Sequence, residues 1–207
     1  YRADANPAKV DLGVGVYKTE SGATPVMRAV KAAEKIRLDN ENSKSYIGPA
    51  GSPAANTALQ QLLFGADHPA LHANRVRSVQ TPGGCGALRV AAELIARATP
   101  SATVWVSNPT WVNHIPLLDS AGLHIAEYPY YDYDSHSLQF DAMLATLAQV
   151  KAGDLVLLHG CCHNPCGADL SRQQWQAIAA LAKKNSFTPF IDMAYQGFGE
   201  RLDADAF

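Results

Sequence analysis

Four short stretches carry residues able to do chemistry. "HGCCHNPCG" (159–167) packs two histidines, three cysteines and an asparagine into one segment. "TPGGCGAL" (81–88) sets glycines where a strand would hand over to a helix. Such a turn can aim bare backbone N–H groups and a helix dipole at an anion, usually a phosphate. It is neither a Walker loop nor a GxGxxG fingerprint, and on its own it reads equally well as a plain tight turn. "SNPTWVNH" (107–114) offers Trp111 as a plate for a planar ligand, although a tryptophan is more often core. "IDMAYQGFG" (191–199) brings Asp192 out of an apolar run, with Tyr195 three residues on. A carboxylate there is costly to bury unpaired, so a cation should meet it, unless it serves an ordinary ion pair or a helix cap.

The cysteine-rich stretch first suggests zinc. Zinc sites favour paired Cys-x-x-Cys units, whereas Cys161 and Cys162 are adjacent and Cys166 stands four further on. Adjacent side chains in an extended segment point to opposite sides, and no second ligand pair occurs elsewhere. The expectation is no metal. "NPCG" reads instead as a turn closed by Gly167, with Asn164 at the mouth of a sheet.

The elements that must position these residues alternate from residue 76 onward. "VRSVQ", "ATVWVS", "GLHIAEYPY", "DLVLLHG" and "FTPFIDMAY" read as strands. Between them "ALRVAAELIARA", the segment from Ile115 to Ala121, "SLQFDAMLATLAQV" with a serine cap, and "LSRQQWQAIAALAKKN" capped by Ser171 have helical spacing. This predicts an α/β fold: a mostly parallel sheet with helices on both faces, joined by right-handed crossovers, its sites at the carboxyl ends of the strands. The first 75 residues differ. A glycine-rich irregular arm precedes the helix "PVMRAVKAAEKIRLDN", the loop "SYIGPAGSP" and the helix "AANTALQQLLFG".

Composition narrows the function classes. The chain has 207 residues, 47% hydrophobic and 17% charged, with a net charge of -2. No basic run exists to suit nucleic acid or an anionic membrane. No apolar stretch approaches the ~20 residues of a membrane span, and the polar N-terminus has no signal-peptide core. Three of the four cysteines crowd into one segment, unlike a distributed disulfide framework, which points to a reducing cytoplasm.

Together, "DLGVGVYK", "SYIGPAG", "LLFGADHP", "TPGGCGALRVAAE", "VWVSNPTWVNH", "GDLVLLHGCCHNPCGADL" and "DMAYQGFG" run in an order that resembles one family over almost the whole chain. It is the fold-type I, class I aminotransferases that depend on pyridoxal 5'-phosphate, in their aspartate and aromatic amino-acid group. The resemblance implies residues 1–45 as an N-terminal arm and helix, part of a small domain and dimer arm, and residues 46–207 as part of the large cofactor domain. It implies that Gly84 and Cys85 cradle the cofactor phosphate, Trp111 stacks on the ring, and Asn164 and Tyr195 bond its phenolic oxygen. Asp192 would pair with the protonated ring nitrogen, and so find its cation. His114 and His159 would stand behind Asp192. Tyr46 would reach the phosphate of a neighbouring subunit's cofactor. Val14 and Gly15, with Trp111 and Asn164, would line the substrate site. Homodimers, and amino acid and 2-oxo acid substrates, follow from the same resemblance.

Two departures stand out. Cys85 occupies a position usually held by Thr or Ser, and a thiol is a weak donor. The family's Schiff-base lysine lies in a Ser-x-x-Lys segment beyond "DMAYQGFG", and none of lysines 9, 18, 31, 35, 44, 151, 183 and 184 has that context. The expectation is an N-terminal fragment with no catalytic lysine, inactive by itself. "VGVYKTE" and "ATPV" look like the aspartate type, and "LLFGADHP" like the aromatic type, with Lys18 adding positive potential at the entrance. A non-catalytic binding module and a zinc domain built on Cys161–Cys166 are the rival readings.

Overall fold

A computed structural model describes residues 1, 3–9 and 15–206. They fall into two compact units, Tyr1–Tyr46 and Ile47–Phe207. Among its described residues the first unit contains one helix, α1 (Arg28–Asn40), none of whose residues is buried. Its charges pair along the helix and just beyond it, Lys35 with Asp39 and Arg37 with Glu41. Exposed pairs of this kind add only tenths of a kcal/mol each.

The second unit runs α2 (Pro53–Phe64), α3 (Pro69–His72), α4 (Gly83–Ala98), β1 (Thr103–Asn108), α5 (His114–Asp119), β2 (His124–Pro129), β3 (Tyr131–Asp132), β4 (Ser137–Leu138), α6 (Phe140–Leu147), β5 (Leu155–His159), α7 (Arg172–Asn185) and β6 (Thr188–Asp192). Strands β2, β1, β5 and β6 lie side by side in that order, all parallel. The α/β expectation therefore holds. Alternation along the strands divides two cores. Val104, Val106, Leu155 and Leu157 face α4 and α5, whereas Val156 and Leu158 face α6 and α7 through Met143, Leu147, Ile178 and Ala182. Helix α7 starts as expected, with a capping box in which Ser171 and Gln174 satisfy each other's backbone N–H. Among the described residues no helix is long and apolar enough to cross a membrane.

Two expected elements form differently. Residues 76–80 are no strand, because their polar groups are taken by neighbours outside the sheet. Gln80 N–H donates to the Ala50 carbonyl, its side-chain oxygen accepts from Ser52 N–H, and Gln60 donates to Ser78. Helix α6 begins at Phe140 rather than at a cap on Ser137, because Ser137 and Leu138 pair antiparallel with Asp132 and Tyr131.

The amino ends of the strands are tied by one acid. Asp154, 9% exposed, accepts from Thr103 N–H at 3.0 Å, Trp105 Nε1 at 3.3 Å and Lys151 N–H at 3.4 Å.

Candidate active site

The carboxyl ends of the strands carry the other polar cluster. Asp192 is the last residue of β6 and lies in register with His159, the last of β5. His114, fully buried at the start of α5, donates from Nε2 to Asp192 Oδ2 at 2.8 Å, and its Nδ1 lies 2.7 Å from the Thr110 hydroxyl. The imidazole bond holds the Asp192 carboxyl below the usual carboxylate range, against a partial burial that pushes the other way. Asp192 Oδ1 bonds no described residue, and the side chain keeps 21% of its exposure.

His159 stands beside this pair, its ring 5.1 Å from His114 and 3.9 Å from His163. Both its ring nitrogens are buried without a hydrogen-bond partner among the described residues. Burial, with His163 and His114 nearby, pushes its pKa down to about 3. His163 is more tightly held. Its Nε2 is 3.1 Å from Ser107 Oγ, its Nδ1 3.1 Å from Cys166 Sγ, and its ring stacks on Tyr130 at 4.1 Å. Burial pushes it down to about 4.

Asn164 follows, half-buried, in a turn closed by a bond from Gly167 N–H to the His163 carbonyl at 2.7 Å. The Asn108–Pro109 and Asn164–Pro165 peptides, each just past a strand end, are both cis. The backbone before Asn164 is not extended as the zinc argument assumes. Cys162 has φ of 49°, because Asp169 accepts from both Cys162 N–H and His163 N–H, at 2.7 and 2.8 Å, and curls the chain around its carboxylate. Cys161 is buried, donating to the Met193 thioether at 3.6 Å, with its thiol pushed up to about 12 by burial. Cys162 is only half-buried. Among the described residues no three His, Cys, Asp or Glu side chains are placed to hold a metal ion.

The glycine turn opens α4. This helix packs on β1 and joins it through residues 99–102, so it runs back along the strand and its N-terminus lies at the carboxyl end of the sheet. Its N-cap, Pro82, makes no side-chain capping bond. Gly83 N–H bonds the Thr81 carbonyl at 2.9 Å, and the next amides, at Gly84 and Cys85, are left for another acceptor. A Cβ on Gly84 would meet nothing within 4 Å, whereas one on Gly86 would strike the Pro82 ring at 2.9 Å. Gly86 thus serves the turn, and the space over Gly84 is open. Cys85 is exposed.

Trp111 is in part a core residue, as one of its two readings had it. It packs on the core beside α4, stays half-buried, and meets His114 edge-on at 5.4 Å. Tyr195 is 41% exposed. Tyr46 and Gly15 belong to the first unit and are exposed. Val14 lies outside the described residues. A separate cleft of about 590 Å³, lined by Cys162, Asp169, Trp175 and Glu200 among others, contains none of the site residues expected from the sequence. Sequence reasoning gave no role to Thr110, Ser107 and His163, and named Cys166 only as a candidate zinc ligand. The available signal was His163 itself, since a histidine inside an apolar strand-to-turn segment must find partners.

A glycine turn with free amides, a half-buried indole and a histidine-held acid, all at strand carboxyl ends, match one family. Residues 7–206 fit the model of aminotransferase class I and II. The chain belongs to that family. It is 50% identical to an aspartate aminotransferase of Salmonella typhi over 206 residues, all of this chain and 52% of the relative. Its fold matches the crystal structure of an aromatic amino acid aminotransferase from Burkholderia cenocepacia, with a TM-score of 0.96 and 45% identity over all of this chain and 52% of that one. It also matches an aromatic-amino-acid aminotransferase from Burkholderia pseudomallei, solved covalently bound to pyridoxal phosphate, with a TM-score of 0.94 and 44% identity over 99% of this chain and 51% of that one. The chain thus spans about half the length of these aminotransferases.

Proposed function

We propose that the complete protein is an aminotransferase that uses pyridoxal 5'-phosphate to move an amino group between an amino acid and a 2-oxo acid. The observation that carries this reading is Asp192, ionised, fixed through one oxygen by His114 and open at the other. When bound, the cofactor supplies an electron sink for the substrate's α-carbon while its ring nitrogen stays protonated. The residues present fit that group. Asp192 holds the proton at the ring nitrogen. The free amides at Gly84 and Cys85 take the phosphate, where the space over Gly84 leaves room. Trp111 would stack on the ring, and Asn164 and Tyr195 would bind its phenolic oxygen. His114 and His159 back Asp192. By the same resemblance Val14 and Gly15 would line the entrance for substrate, and Tyr46 would reach a neighbouring subunit's phosphate. No lysine among these residues is given the proton transfer.

In this reading residues 1–45 supply a dimer arm and part of a small domain, and residues 46–207 part of the large domain, of a cytoplasmic homodimer. The substrates are aspartate, glutamate and 2-oxoglutarate, with some aromatic activity. The test uses the complete gene product. It should take up pyridoxal phosphate with a cofactor absorbance band and turn over aspartate and glutamate fastest. Alanine or branched-chain donors faster than aspartate would overturn the substrate assignment, and absence of cofactor uptake would overturn the function.

A further inference from the structure

Asn164 is set by the proposed function against the cofactor's phenolic oxygen, yet its side-chain amide bonds no described residue. Its position must come from the backbone that carries it. That backbone is anchored next door. His163, 2% exposed, reaches Ser107 on β1 with Nε2 and Cys166 with Nδ1, each at 3.1 Å, and lies flat on Tyr130. Its own N–H is bound by Asp169, and its carbonyl closes the turn with Gly167.

We propose that His163 is the positioning residue for Asn164: locked between Ser107 and Cys166, it fixes the turn of residues 162–167 to the carboxyl end of β1 and so aims the Asn164 amide. The inference rests on the proposed function for what Asn164 touches, but not for what holds it. The imidazole suits the task because its two nitrogens offer one donor and one acceptor in a fixed plane, and a residue with one polar atom would secure only one side. Tyr130, whose hydroxyl donates to the Ala168 carbonyl at 2.7 Å, braces the far end of the same turn.

The experiment uses the complete protein with His163→Phe, His163→Gln, Ser107→Ala and Asn164→Ala, and two readouts. One is the pH midpoint of the bound cofactor's absorbance change, and the other is hydrogen exchange of the amides of residues 162–167. An amide donor stabilises the anionic phenolic oxygen, so losing it should raise the midpoint by about one pH unit. His163→Phe keeps the stack but loses both polar contacts. It should raise the midpoint as much as Asn164→Ala does, add nothing when combined with it, and speed exchange in that turn alone. His163→Gln, which can still reach Ser107, should recover at least half of the shift. An unmoved midpoint with unchanged exchange, or a shift additive with that of Asn164→Ala, would overturn the inference. If His163→Phe fails to fold, Ser107→Ala carries the same two readouts, and no change in either overturns the inference equally. If the wild type takes up no cofactor, the proposed function falls and exchange alone decides. Faster exchange confined to residues 162–167 sustains the positioning role, and unchanged exchange ends it.

Discussion

Asp154 and Asp192 are two partly or wholly buried acids at opposite ends of the same parallel sheet, and their partners differ in kind. Asp154 is engaged on both oxygens by three N–H donors, two from backbone and one from an indole. Neither oxygen is left free for a ligand. Asp192 has a single side-chain donor, His114, on one oxygen, and that donor is itself held by Thr110. Half of its accepting capacity stays open at the end of the sheet where ligands bind in this architecture. An acid engaged on both oxygens ties elements together, and an acid that is oriented but open at one oxygen waits for a partner. The distinction between structural and functional carboxylates lies here in occupancy rather than in burial, since the more buried of the two is the structural one.

The largest effect should come from Asp192→Asn. The amide keeps the size of the side chain and can still accept from His114, so the fold should persist. It cannot hold the proton at a ring nitrogen. Turnover of the complete protein should fall by several orders of magnitude, each decade being about 1.4 kcal/mol of barrier. Steady-state rates with aspartate, set beside the denaturant midpoint of the same sample, check this. A few-fold loss would put Asp192 in the same class as Asp154.

Asp154→Ala should do the reverse. Three buried donors would lose their acceptor together, at a cost of about 3 kcal/mol in stability after partial relaxation. The denaturant midpoint should drop clearly, while the rate per folded molecule stays near normal. A rate loss as large as that of Asp192→Asn, in protein shown to be folded, would break the contrast.

Acid should also distinguish the two ends. His159 and His163 at the carboxyl end are pushed by burial to about 3 and about 4, so below the ordinary histidine value the unfolded chain binds more protons than the native one. Stability is then fully present above about pH 6.5 and declines as pH falls toward 4, by about 2 kcal/mol at pH 5 once solvent screening is allowed for. Asp192, depressed from the carboxylate range, adds its own loss only at still lower pH. Urea melts at pH 7.5 and 5.0 measure the slope, and His159→Leu should flatten it. A slope untouched by that change would assign it elsewhere.

Much of this was legible in the sequence, for reasons that particular residues make plain. The strands β1, β5 and β6 are dense apolar runs, and the Ser171 cap and the Gly84 turn depend on local chemistry. Asp192 stood out because an acid leaving an apolar strand demands an explanation. What escaped depended on pairing at a distance. Residues 76–80 have strand-forming composition, but Gln80 is taken by residues 50–52. Ser137 looks like a cap until Asp132 pairs with it across a hairpin. The His163 network joins residues 107, 130, 163 and 166, and no spacing rule links positions so far apart. The curl at Cys162 required knowing that Asp169 folds back on it.

The smallest predicted effect sharpens the same contrast at the phosphate turn. Cys85 is exposed in the first turn of α4, where no side chain caps the helix. If open capacity marks the functional end, a better donor here should improve ligand binding without touching stability. A thiol is a weak donor, and a hydroxyl on the same carbon is a good one. Cys85→Ser alters a single atom, so packing should not respond. One added hydrogen bond to a charged group in a partly solvated site, offset by the water it replaces, amounts to about 0.5–1 kcal/mol, or a few-fold in affinity. The complete protein carrying Cys85→Ser should therefore bind pyridoxal phosphate a few-fold more tightly, with an unchanged denaturant midpoint and a near-normal rate at saturating cofactor. Equilibrium titration of the stripped protein by cofactor absorbance is sensitive enough to decide it. Unchanged affinity would mean that the backbone amides at Gly84 and Cys85 hold the phosphate unaided, and weaker binding would mean that the thiol itself takes part in the grip.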